Sequence, residues 1–174
     1  MSTLRASLVV MGVSGTGKSS VGAELARRFG LGFVEGDDHH PPANIDKMAA
    51  GTPLDDDDRW PWLQQLSMIL TTSHDDPVVM TCSALKRSYR DVLRADVAEP
   101  GVVFVHLAGS REVLLPRMSR REKHFMPASL LESQLATLEP LEADERGVVV
   151  DVSASLAEVV DAAEAAVRAL RSSA

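Results

Sequence analysis

The octapeptide Gly12-Val13-Ser14-Gly15-Thr16-Gly17-Lys18-Ser19 constrains this chain more than any other stretch. It has the form G-x-x-x-x-G-K-S, follows the apolar run Leu8–Met11 and opens the segment Ser20–Phe29, which has helical spacing. A strand that feeds a helix through such a loop is the setting in which this motif binds phosphate. Glycines let the backbone curl until successive N–H groups face inward, and the positive helix end completes an anion cradle. Lys18 is then able to reach the β- and γ-phosphates, and the Ser19 hydroxyl to hold Mg²⁺, with Ser20 beside them. A nucleoside triphosphate, ATP being the usual one, is the expected ligand.

At 174 residues the chain is long enough for one domain, 1–174, with a substantial core. A net charge of −7 argues against a general nucleic-acid binder, so an anionic substrate must meet a local cluster of cations. The single cysteine, Cys82, cannot form an internal disulfide and fits a reducing compartment; packing at a strand end is its expected role. No apolar run approaches membrane-spanning length, and the run at Leu8 is too short for a signal peptide. These features read as cytoplasmic, with no membrane partner.

Apolar runs at Ala6–Met11, Leu31–Val34, Val78–Thr81, Val102–Val105 and Val148–Val150 predict five strands. Between them, helical patterns begin after Lys18, at about Asn44, at Pro53–Trp62, at Lys86, at Arg111 and before Leu138. Acidic residues Asp55–Asp58 suit a helix start, with Pro61 expected in its first turn. Ser155-x-x-Glu158 is a capping box for the last helix. Alternation of this kind predicts an α/β fold of three layers, a five-stranded parallel sheet with helices on both faces. Trp60 and Trp62 are expected to pack rather than to stack on ligand, and no Cys/His spacing suggests zinc.

A phosphate loop alone does not name a function. Asn44-Ile45-Asp46-Lys47 only scrambles the guanine-reading motif of switch GTPases, and the third strand ends in Thr81-Cys82-Ser83 rather than the Asp-Glu of motor ATPases. Phosphoryl transfer to a small acceptor remains, and it needs an aligned hydroxyl and cations around the γ-phosphate. Asp37 and Asp38 lie just past the second strand, where open parallel sheets place ligands, and either carboxylate can accept a proton or reach Mg²⁺ through water. The basic stretch Arg117–His124 suits a mobile lid, about 117–127, that closes on ATP.

Taken together these stretches resemble the gluconate kinases of the thermoresistant type, within the shikimate-kinase-like P-loop kinases. The resemblance rests on Met11–Ser19, Gly36-Asp37 with His40-Pro41, Asn44, Lys47-Met48, Asp56-Asp57-Asp58-Arg59, Cys82-Ser83-Ala84-Leu85-Lys86 and Gln134–Glu139. It implies ATP-dependent phosphorylation of the 6-hydroxyl of D-gluconate, with Mg²⁺ and often a homodimer. It makes Gly12–Ser19 the ATP loop, Asp37 a base or metal-linked carboxylate, Arg59 an anchor for the substrate carboxylate, and Arg117 and Arg121 helix and lid arginines. A guanidinium fork matches a carboxylate, although Arg59 has the Asp55–Asp58 run as a competing partner. His40, Asn44, Lys47, Ser83 and Lys86 are candidate hydroxyl or phosphate partners, Arg90 shares a helix face with Lys86, and His124 is a candidate lid contact. Two departures stand out: His39 where the family commonly has Leu, and Lys123 where its lid commonly has Gly.

Overall fold

In a computed structural model, which describes residues 4–120 and 129–172, the five expected strands form one parallel sheet in the order β2-β3-β1-β4-β5. They are β1 (Ser7–Met11), β2 (Gly32–Glu35), β3 (Val78–Thr81), β4 (Val102–Ala108) and β5 (Gly147–Asp151). β1 is central, with Val9 in register with Met80 on one side and Phe104 on the other. All five β1 residues are buried, as an apolar run covered on both faces requires. Seven helices complete the described fold: α1 (Lys18–Phe29), α2 (Pro42–Ala49), α3 (Asp56–Thr72), α4 (Arg87–Arg94), α5 (Arg111–Ser119), α6 (Leu130–Thr137) and α7 (Leu156–Ser172). α1 packs with α7, and α3 with α4. Leu25 and Val160 are buried from the first pair and Leu66 and Leu93 from the second, each worth roughly 1.5–3 kcal/mol of transfer free energy.

The strand order places the crevice. From β1 the chain crosses to the edge strand β2 and returns through β3, then continues to β4 on the other side of β1. Loops leaving β1, β2 and β3 gather at the carboxyl edge, the end where such sheets take ligands. Two glycines there are dictated by space. Gly12 has φ 142, and a Cβ would lie 2.6 Å from the Leu107 carbonyl oxygen. A Cβ on Gly36 would lie 1.9 Å from the Thr81 carbonyl oxygen, so only glycine lets the end of β2 turn against β3.

Helix ends follow their local chemistry, with some shifts from the sequence expectation. Asp55 caps α3, accepting from the Asp58 N–H, while the Asp58 carboxylate accepts from the Asp55 N–H. Pro61 lies in the second turn rather than the first; its missing N–H leaves the exposed Asp57 without its helical donor at the carbonyl. The Ser155/Glu158 box forms as expected, through Ser155 N–H to the Glu158 carboxylate at 2.9 Å. α4 stops at Arg94, short of the expected Val97, and β4 runs on to Ala108. Most of the expected lid, 121–127, lies outside the described residues.

Candidate active site

A cleft opens at the carboxyl edge, between the phosphate loop, the end of β2, α3 and α6. Ser14, Gly15, Gly17, Lys18 and Ser19 form one wall. Gly15 and Gly17 have φ 85 and 87, the left-handed turns that curl the loop, and no side chain caps α1 at Gly17. The first turn of α1 thus presents its N–H groups and positive end toward the cleft. Lys18 Nζ folds across the loop to the Val13 carbonyl at 3.0 Å, and Thr16 Oγ1 donates to the same oxygen at 2.9 Å. Gly12, Val13 and Thr16 are buried behind the loop and shape it, while Ser20 is exposed just past it. The Gly12 N–H donates to the Ser83 carbonyl at 3.2 Å, which ties the loop to the end of β3.

Facing the loop is an acidic and aromatic wall. Asp37 sits in the short 3-10 turn Gly36–His39 and lines the cleft. Its neighbour Asp38 is exposed and outside the cleft, so the structure separates the two carboxylates that the sequence left as alternatives. His40 is buried, stacks on Trp62 with centroids 3.9 Å apart, and has Nε2 3.7 Å from Asp37 Oδ1. Asn44 Nδ2 donates to the Asp58 carbonyl at 2.8 Å and lies 3.3 Å from His40 Nδ1. Because the Asp58 carbonyl requires a donor, Nδ2 also donates to the ring, and the imidazole proton belongs on Nε2, toward Asp37. Burial, then the nearby Arg59 charge, lowers the His40 pKa to about 4, so the ring is neutral near pH 7. Trp62 packs as expected, with Nε1 donating to the Gly36 carbonyl at 2.8 Å.

Arg59 closes the far end of the cleft. The four acids before it are committed elsewhere: Asp58 pairs with Lys47 at 2.5 Å, Asp55 caps α3, Asp56 accepts from Tyr89 and Lys86, and Asp57 is exposed. Among the described residues Arg59 has no carboxylate partner, and its one hydrogen bond runs from Nη1 to the Tyr89 hydroxyl at 3.1 Å. The competing pairing with the Asp55–Asp58 run therefore does not form. A buried guanidinium that lines a cleft and, among the described residues, bonds no carboxylate directly is built to receive one.

Several expected contacts fall elsewhere. Arg90 is a correction: its side chain is 0% exposed, bonds Glu145 through Nε at 2.7 Å and Nη2 at 2.9 Å, and reaches the Ala84, Glu139 and Pro140 carbonyls. Its donors are consumed in the interior, so it supports the Ser83–Lys86 loop instead of touching substrate. That loop includes Ala84 at φ 47, a strained conformation for a non-glycine residue. Lys47 and Lys86 pair with Asp58 and Asp56 outside the cleft, whereas Ser83 lines it. Asn44 supports His40 from behind. Arg117 donates to the Val152 carbonyl at 2.7 Å and does not line the cleft. Arg121 and His124, with Lys123, lie outside the described residues. Burial pushes the Cys82 thiol up to about 12, which fits a packed, unreactive cysteine.

Sequence reasoning missed Glu35 and Gln134. Glu35 ends β2, lines the cleft and accepts from the Thr81 hydroxyl, which itself accepts from the Gly36 N–H at 3.0 Å. Its position two residues before Asp37, at the carboxyl end of a strand, is the signal that would have found it. Gln134 Oε1 accepts the Ser14 N–H at 2.7 Å, a contact between residues 120 positions apart that no local pattern encodes. For a metal ion the donors are the Ser19 hydroxyl and the carboxylates of Asp37 and Glu35. This all-oxygen set fits Mg²⁺, which keeps waters and takes its remaining ligands from substrate phosphates. No three His, Cys, Asp or Glu side chains group as a protein-only metal cage among the described residues, in keeping with such an open site.

A phosphate loop at the centre of a parallel sheet, with an acidic wall and an unpaired arginine across one cleft, defines the class: a P-loop kinase of small molecules. A family profile described as an AAA domain matches residues 8–141. The gluconokinase of Gluconobacter oxydans is 56% identical over 136 residues, 76% of this chain and 74% of that protein. The thermosensitive gluconokinase of Escherichia coli is 43% identical over 168 residues, covering 95% and 89%. A solved gluconokinase from Sinorhizobium meliloti superposes with a TM-score of 0.88 at 53% identity, covering 97% of this chain and 95% of that one. The chain belongs to the gluconokinase family.

Proposed function

We propose that the chain phosphorylates D-gluconate, moving the γ-phosphate of ATP to the 6-hydroxyl to give 6-phosphogluconate and ADP. The observation that carries this reading is the unpaired Arg59 guanidinium in the same cleft as Asp37 and the phosphate loop. A sugar acid has an anionic end and a primary hydroxyl at the other. Arg59 holds the first by a charge-assisted fork, and Asp37 receives the proton of the second as its oxygen attacks phosphorus. The neutral His40, with its proton on Nε2, faces the Asp37 carboxylate at 3.7 Å. Lys18 and the N–H groups of the loop and the first turn of α1 neutralise charge as it moves to the departing β-phosphate. The Ser19 hydroxyl and the carboxylates of Asp37 and Glu35 would hold Mg²⁺, which when bound would add neutralisation of the phosphates.

The family resemblance supports a cytoplasmic homodimer, one kinase domain over 1–174, and a lid at about 117–127 carrying Arg121 and His124. An ATP-coupled assay across gluconate, other aldonates, shikimate and nucleoside monophosphates tests the reaction. Gluconate should give the highest kcat/KM. A higher value for any other acceptor refutes gluconate as the substrate. Arg59→Ala should raise the gluconate KM far more than the ATP KM; equal changes remove Arg59 from the acceptor side.

A further inference from the structure

Arg59 is held by a chain of hydrogen bonds that leaves the cleft on its far side. Nη1 donates to the Tyr89 hydroxyl at 3.1 Å, that hydroxyl donates to Asp56 Oδ1, and Lys86 Nζ donates to the same carboxylate at 3.1 Å. The direction of each bond is forced. A guanidinium only donates and a carboxylate only accepts, so the single phenol proton goes to Asp56 and its lone pair faces Arg59. Tyr89 is 1% exposed, its ring lies 5.4 Å from Arg59 Cζ and 5.6 Å from Lys86 Nζ, and Trp60 packs edge-on against it at 5.5 Å. Burial and then Asp56 raise the Tyr89 pKa, which keeps the phenol protonated and able to serve as this two-way link. Asp56 is in turn fixed in the first turn of α3.

We propose that Tyr89, held by Asp56, is a positioning residue for acceptor binding: it engages one end of the guanidinium so that the other end faces the carboxylate of a sugar acid. This rests on the reading of Arg59 as the carboxylate anchor. An arginine side chain has many rotamers and ordering it costs entropy, so a pre-set fork binds more tightly than a loose one. Tyr89 stands behind Arg59 and is not among the residues that line the cleft. Its contribution is thus confined to one substrate. It is also mediated wholly by Arg59.

Tyr89→Phe keeps the buried ring and removes the link. It should raise the gluconate KM about ten- to a hundredfold, as loss of a hydrogen bond to a charged group implies, with kcat and the ATP KM within about twofold. Asp56→Asn, at a half-exposed position, should shift the gluconate KM in the same direction and guards against a folding defect in the first variant. In an Arg59→Ala background Tyr89→Phe should add no further change, because its effect passes through the missing guanidinium. Equal loss in both backgrounds, or parallel rises in both KM values, overturns the inference and marks Tyr89 as merely structural. An unchanged gluconate KM in Arg59→Ala itself overturns both this inference and the anchor reading. A raised KM in Arg59→Ala with native values in Tyr89→Phe and Asp56→Asn overturns this inference alone.

Discussion

Acidification should weaken the fold through His40, by an amount that its surroundings set. In the folded chain the ring stays neutral down to about pH 4, whereas an exposed imidazole takes up its proton near 6.5. Between those values the unfolded chain binds more protons than the folded one, so stability rises with pH across the window and falls as pH is lowered through it. The contribution is nearly complete at pH 7. By pH 5 it has lost about 2 kcal/mol, a fifth or more of the stability of an ordinary domain. The physical source is the sandwich of the ring against Trp62, with Asn44 donating to Nδ1 and the Arg59 charge close by, which leaves no favourable place for a second proton. Urea unfolding at pH 7 and pH 5 should be compared for the native chain and His40→Phe, which keeps a flat ring on Trp62 but cannot titrate. Burial, and then the charge of Arg90, also lowers the pKa of His106, but that group is common to both proteins and cancels in the comparison. The native chain should lose about 2 kcal/mol more than the variant between the two pH values. Parallel losses would refute the assignment of this proton linkage to His40.

Three further outcomes are expected. His106 is buried on β4, and neither ring nitrogen has a hydrogen-bond partner among the described residues; His106→Leu removes both polar atoms and should raise stability by about 1 kcal/mol, read from the urea midpoint. Arg90→Met should destabilise the fold by about 3 kcal/mol, because buried Glu145 keeps only Arg94, 3.7 Å away, as a cation; adding Glu145→Leu should recover much of that loss, and a double variant as unstable as the single one counts against the pairing. Lys18→Ala should abolish turnover while shifting the unfolding free energy by no more than about 0.5 kcal/mol, since the side chain is only partly buried; retained turnover removes Lys18 from phosphate transfer.

Much of the fold was legible because its signals are local. The apolar runs that became β1, β3 and β4, the phosphate loop and the Ser155/Glu158 box each carry their physics within a few residues. Asp37 was legible for the same reason: it follows a strand by two residues, and a parallel sheet dictates where that point lies. Arg90 was not. Its spacing from Lys86 and Arg94 identifies a helix face, but only the fold decides that this face meets the segment 139–145, where Glu145 and two carbonyls wait. Tyr89 as the partner of Arg59 was hidden likewise, because the acids of the Asp55–Asp58 run were nearer in sequence and equally suited by charge. What placed them elsewhere was the start of α3, which spends Asp55 on a cap and turns Asp56 and Asp58 toward two lysines.

The contact between Gln134 and Ser14 has a neighbour. Next to Ser14, a Cβ on Gly15 would lie 3.0 Å from Met118 Cγ and 3.3 Å from the Leu114 carbonyl oxygen, so α5 presses on the loop one residue from where α6 grips it. The two helices that bracket residues 120–129 thus fasten to consecutive links of the phosphate loop, like the two ends of a clasp. Altering Met118 or Gln134 therefore reshapes the phosphate loop itself, from outside it.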